Sequence, residues 1–176
     1  MKTLVIGLGN PILKDDGVGI YTARVVRAVL PPAAEVDVVE LAVGGLALME
    51  AMIGYERAIL IDALWTMPGE HAGEIVEFDA GDLPETLNTR SAHDADLPTA
   101  LRIGRRLGAQ LPAQKNIQIV AIRAEDVLTF GETPNPHVAA AIPEAASRVL
   151  TRLGYPPEEP LPPYHELTRG GYDDFA

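Results

Sequence analysis

Residues 6–19, IGLGNPILKDDGVG, decide the fold. An apolar run ends on glycines, a short loop follows, and an apolar helical pattern opens at Val18. Strand, glycine turn and helix is how an α/β sheet begins, and also how a nucleotide-binding loop begins. Yet Asp15 and Asp16 stand where a phosphate would need N–H groups and positive partial charge. Ile12 also occupies the third glycine position of a dinucleotide fingerprint. Glu40, in the next apolar run, is all that remains of that reading, as a ribose ligand. Two carboxylates after a glycine turn suit a cation better than an anion.

Working outward, residues 3–7 form a buried strand and 18–30 a helix. Val18, Val25, Val26, Val29 and Leu30 make one stripe of that helix, and Pro31-Pro32 stops it. A second strand covers 36–41, and a short apolar helix runs from Gly45 to Ile53, ended by Gly54. RAILID, 57–62, is nearly all apolar, as a central parallel strand covered on both faces should be. GEIVEF, 73–78, alternates like an edge or antiparallel strand. A long polar loop leads to a helix over 97–111, then a buried strand over 117–122 and a last helix over 136–153, interrupted or kinked near Pro143. Strands alternating with helices predict a single-domain three-layer α/β sandwich. Its mostly parallel twisted sheet has about five strands, with helices on both faces. The domain is expected over 1–154. Residues 155–176 form a proline-rich acidic tail, expected to be extended.

Composition narrows the chemistry. The 176 residues suit one domain, and 47 % hydrophobic residues supply a full core. There is no cysteine, which excludes disulfides, thiolate metal ligands and cysteine nucleophiles. Ser91 lacks a G-x-S-x-G elbow, so a serine hydrolase is disfavoured. A formal net charge of −11 opposes nucleic-acid and anionic-membrane partners. Arg102, Arg105 and Arg106 mark the solvated face of a helix. No apolar run approaches a membrane span and the N-terminus lacks the long apolar stretch of a signal peptide, so a cytoplasmic protein is expected.

Ligands of open parallel sheets bind beyond the carboxyl ends of the strands. Asp15 and Asp16 follow the first strand, Asp62 is expected to end the third, and His93 precedes the 97–111 helix. An imidazole with carboxylates is an N/O donor set for a divalent ion with open positions. Without a metal, two close carboxylates could share a proton as general acid and base. Either aspartate of the pair could instead cap the helix that follows it. A carboxylate at the end of a buried strand, such as Asp62, is costly unless it is paired or functional.

Two family resemblances follow from these residues. GLGNP near the N-terminus is similar to peptidyl-tRNA hydrolases, but the histidine that family carries next is absent from LKDDGVG. The fuller resemblance is to hydrogenase maturation endopeptidases, whose opening pattern is matched by Gly7, Gly9, Asn10, Asp15, Asp16, Gly17 and Gly19. AILIDAL with Asp62 matches their apolar strand ending in Asp, and SAHDADLPTAL with His93 matches their histidine before a leucine-rich helix. The resemblance implies removal of a C-terminal extension from a nickel-iron hydrogenase large-subunit precursor after nickel insertion. It implies that Asp16, Asp62 and His93 contact the nickel carried by that substrate, and other divalent ions could occupy the site in vitro. The alternatives are a peptidyl-tRNA-hydrolase-like enzyme and a non-catalytic nickel-binding assembly factor.

Overall fold

A computed structural model describes residues 2–67, 70–82 and 97–168 of the chain. Strands β1 (Thr3–Leu8), β2 (Val36–Leu41), β3 (Arg57–Trp65), β4 (Ile75–Asp79) and β5 (Ile117–Ala124) form one sheet in the order β2-β1-β3-β5-β4. The β1–β2, β1–β3 and β3–β5 pairs are parallel, and β4 is an antiparallel edge on β5. The helices are α1 (Val18–Val29), α2 (Gly45–Ala51), α3 (Leu97–Arg106), α4 (Pro136–Leu153) and the four-residue α5 (Tyr164–Leu167). The expected mostly parallel five-stranded sandwich is the fold observed.

The period-2 alternation of side chains splits the core in two. Val5, Ile59, Ile61, Val120 and Ile122 pack on one face under the apolar stripes of α1 and α4. Leu4, Ile6, Leu60, Ile119 and Ala121 pack on the other face against Leu48 and Met52 around α2, and Leu97 and Leu101 of α3. Being covered on both sides is what makes β1, β3 and β5 read as continuous apolar runs. Arg102, Arg105 and Arg106 lie on the exposed side of α3, as the charge spacing predicts. Among the described residues no helix is long and apolar enough to cross a membrane.

Two boundaries differ in a way that matters. β3 does not end at Asp62 but continues to Trp65, because β5 keeps pairing with it as far as Trp65↔Ala124. The tail, expected to be extended, includes the short α5, whose Tyr164 and Leu167 pack with Leu161 on the α1/α4 side. The four-residue helix was illegible because its support is the Tyr21 ring of α1, 5.4 Å from that of Tyr164, and not a local period. Pro143 lies inside α4, which is assigned as one helix through it.

Candidate functional site

The chain leaves β1 towards β2 on one side, and β3 lies on the other. The gap between the carboxyl ends of β1 and β3 is therefore the topological switch point of the sheet, where open α/β sheets bind ligands. β1 stops at Leu8, and its last pairing with β3 is Gly7↔Ile61. Asp62 is thus the first β3 residue past the last β1–β3 pair, level with Leu8, the final residue of β1. Its side chain shares the face of Leu60 and Leu64, the α2/α3 side. It is only 1 % exposed, and its Oδ1 accepts the Ala63 N–H at 2.8 Å. The expectation that Asp62 terminates the strand is corrected. The ligand edge is set here by the end of β1.

The glycines place Asp16 over this gap. Gly9 has φ +125°, and a Cβ on it would lie 1.8 Å from the Asp16 carbonyl oxygen, so only glycine lets the turn close. The Asp16 Oδ2 in turn accepts the Asn10 N–H at 2.7 Å. Asn10 Oδ1 accepts the Ile12 N–H at 3.2 Å, and the Leu13 N–H donates to the Asn10 carbonyl, folding the loop on itself. A 3-10 turn, Lys14–Gly17, then runs into α1. At Gly19 a Cβ would meet the carbonyl oxygens of Ile61 at 2.3 Å and Leu8 at 2.4 Å. The start of α1 therefore sits directly on the backbone that precedes Asp62. Sequence and register bring Asp16 and Asp62 to the same end of the sheet.

Asp15 has a different task from its neighbour. It is fully buried and caps neither the 3-10 turn nor α1 with its side chain. Its Oδ2 accepts the N–H groups of Glu125 and Asp126 at 3.1 and 3.0 Å and Asn135 Nδ2 at 2.9 Å. Its Oδ1 accepts the Asn135 N–H at 2.6 Å. Helix capping, the structural reading of this residue, is replaced by a bolt between the loop after β1 and the loop after β5. Tyr21 reinforces it by donating its hydroxyl to the carbonyls of Pro11 and Glu132. Lys14 adds an ion pair to Asp126 at 2.9 Å. The Lys14 ammonium and the Thr129 donors hold the Asp126 carboxyl down at about 2. Asn135 before Pro136 signals a helix start in the sequence, but nothing local couples it to Asp15.

Glu40, the residue a ribose would need, is engaged by Arg24 at 2.9 Å and Arg27 at 2.8 Å. Burial raises its carboxyl pKa, but the two guanidinium groups outweigh that and leave it below the ordinary value. His93 lies outside the described residues, as does Ser91. Leu97, the first residue of α3, packs on the same face as Asp62. Among the described residues no three His, Asp or Glu side chains form a metal-holding group. A cleft of about 530 Å³ between α4 and the tail, lined by Pro143, Ser147, Leu161 and Tyr164, includes neither Asp16 nor Asp62.

Known proteins share this fold. The family model described as hydrogenase maturation protease, HycI, matches residues 20–152. The hydrogenase maturating endopeptidase HybD from E. coli is 27 % identical with a TM-score of 0.71, over 88 % of this chain and 93 % of its own. An endopeptidase from Escherichia coli, solved in solution, is 26 % identical with a TM-score of 0.68, over 87 % of this chain and 92 % of its own. The nickel-iron hydrogenase maturation protease HybD from Thermococcus kodakarensis is 25 % identical with a TM-score of 0.61, over 87 % and 99 %. No curated protein matches in sequence.

Proposed function

The chain belongs to the hydrogenase maturation protease family and is a peptidase, and we propose that it removes the C-terminal extension of a nickel-iron hydrogenase large-subunit precursor after nickel insertion. The observation that carries this reading is the buried Asp62 at the switch point, with the Asp16 turn fastened over the same gap. A carboxylate held at 1 % exposure attracts a cation more strongly than it would in water. Nickel seated in the precursor supplies that positive charge. Asp16 and Asp62 would offer oxygen donors and His93 a nitrogen donor, a set that fits nickel and other divalent ions. The chain's own part is to orient the nickel-bearing segment so that the scissile peptide bond lies at the edge of the sheet. Hydrolysis then adds water across that bond and frees the extension.

His93 stands four residues before Leu97. The peptidyl-tRNA alternative loses its support, since the hydrogenase maturation protease model matches residues 20–152, the body of the domain. The test is mass spectrometry of nickel-loaded and nickel-free precursor after incubation with the protein. Release of a C-terminal peptide from the loaded form alone is the expected result. Cleavage of both forms would remove nickel recognition from the reading, and cleavage of neither would remove the substrate.

A further inference from the structure

The loop after β5 carries side chains that the site just described leaves unused. Leu128 and Phe130 are each 78 % exposed, and Ile12, on the loop after β1, is 49 % exposed. These side chains do not hang on loose chain. Leu13 bridges to Phe130, and the Gly131 N–H donates to the Ile12 carbonyl at 3.0 Å. The Thr129 N–H donates to Asp126 Oδ1 at 3.1 Å, and Asp126 is paired with Lys14. The four hydrogen bonds of Asp15 and the two of Tyr21 fasten the base of the same two loops. A rigid scaffold thus presents apolar tips to water, which is unfavourable unless something covers them. Trp65, 50 % exposed, and Met67 extend the rim from the end of β3. Thr66 between them donates twice to the Ala124 carbonyl, setting that end beside the loop after β5.

We propose that Ile12, Leu128 and Phe130, continued by Trp65 and Met67, form the platform on which an apolar surface of the folded protein substrate docks beside the site. The proposal rests on the function proposed above. Charge selects this occupant. The chain as a whole carries −11, yet residues 127–131, VLTFG, hold no charge, and Lys14 pairs with the adjoining Asp126, with the exposed Glu125 and Glu132 at the flanks. Such a tip disfavours an anionic partner. It selects an apolar one, and hydrophobic contact needs no charge match. Position selects it too. The loop that holds Ile12 also holds Asp16, and β3 carries both Asp62 and Trp65, so whatever presents a peptide bond to the carboxylates lies over these side chains. Nickel contact would decide when cleavage occurs, and the platform would decide which protein is held.

The test is steady-state cleavage of the nickel-loaded precursor by wild type and by the Leu128→Ser, Phe130→Ser double variant. Titration calorimetry of precursor binding runs alongside. Both side chains are solvent-exposed, so the variant should keep its fold, and circular dichroism checks this. The expected result is a KM raised at least tenfold with kcat within twofold of wild type, and weakened binding. Unchanged KM and unchanged binding would overturn the platform. If wild type binds the precursor without cleaving it, the reaction proposed above fails, while loss of binding in the variant still supports the platform. A wild-type dimer in sedimentation that the variant abolishes, with precursor binding unaltered, would assign the patch to a second copy and overturn the proposal.

Discussion

Asp15 and Asp16 are chemically identical neighbours with opposite surroundings, and substitution should separate them. Asp15 is fully buried and accepts four hydrogen bonds. An Asn there turns one acceptor into a donor that faces donors. Leaving such groups unsatisfied costs about 1–3 kcal/mol each, so Asp15→Asn should lower unfolding stability by at least that much in urea titrations. Asp16 is half-buried, and its Oδ2 accepts the Asn10 N–H. Asp16→Asn keeps an oxygen for that bond and should leave stability nearly unchanged. Processing of the nickel-loaded precursor should nonetheless fall at least tenfold, equivalent to about 1.4 kcal/mol of transition-state stabilisation. Asp62→Asn should lower processing by more, because Asp62 is fixed by β3 where Asp16 sits on a loop. Equal processing by wild type and both variants would remove these two residues from the site. The motif made both members of the acidic pair conspicuous. It could not tell which one binds inward, because the partners of Asp15 are 110 to 120 residues away.

At the scale of elements, the two loops over the switch point are held partly by charge, and that charge has a pH signature. The Asp126 carboxyl is depressed to about 2, first by the hydrogen bond from Lys14 and then by Thr129. A carboxylate whose pKa is lower folded than unfolded contributes stability above its unfolded pKa, and loses it as pH falls through the folded one. The clamp between the loops after β1 and β5 should therefore persist at neutral pH and weaken only between about pH 4 and 2. NMR titration of the Asp126 carboxyl carbon should show a midpoint near 2. In Lys14→Met the midpoint should rise towards the ordinary carboxylate value without reaching it, since the Thr129 N–H still donates to Oδ1. An unmoved midpoint would mean that the ion pair does not hold the loop in solution. The strands were legible because burial on both faces writes them as apolar runs, IQIVAI and RAILID among them. The true end of β3 was not. A carboxylate inside such a run looks like a terminus, and only the continued β5 register, Ala63↔Ile122 to Trp65↔Ala124, shows otherwise.

For the whole molecule, the question is what the tail adds to a domain whose sheet is already covered. Gly154 ends α4 in the left-handed conformation at φ 87°, and the Tyr155 N–H returns to the Leu150 carbonyl, which turns the chain back along the helices. Leu161, Tyr164 and Leu167 then cover part of the α1/α4 face, each half-buried. Burial also holds the Tyr164 phenol above its usual pKa. Fully burying a large apolar side chain is worth about 1.5–3 kcal/mol. Three half-buried ones, less the entropy of ordering the segment, should leave a net contribution of about 1–3 kcal/mol. Deleting residues 155–176 should therefore lower stability by that amount in thermal or urea unfolding. The Tyr21 hydroxyl keeps its bonds to Pro11 and Glu132 without the tail, and none of the described tail residues is a hydrogen-bond donor to Asp15. Processing at 25 °C by the truncated protein should thus stay within about threefold of wild type, a difference of roughly 0.6 kcal/mol. A tenfold loss with the fold intact would show that the ring of Tyr164 against Tyr21, 5.4 Å apart, sets the position of the catalytic loops as well as covering the core.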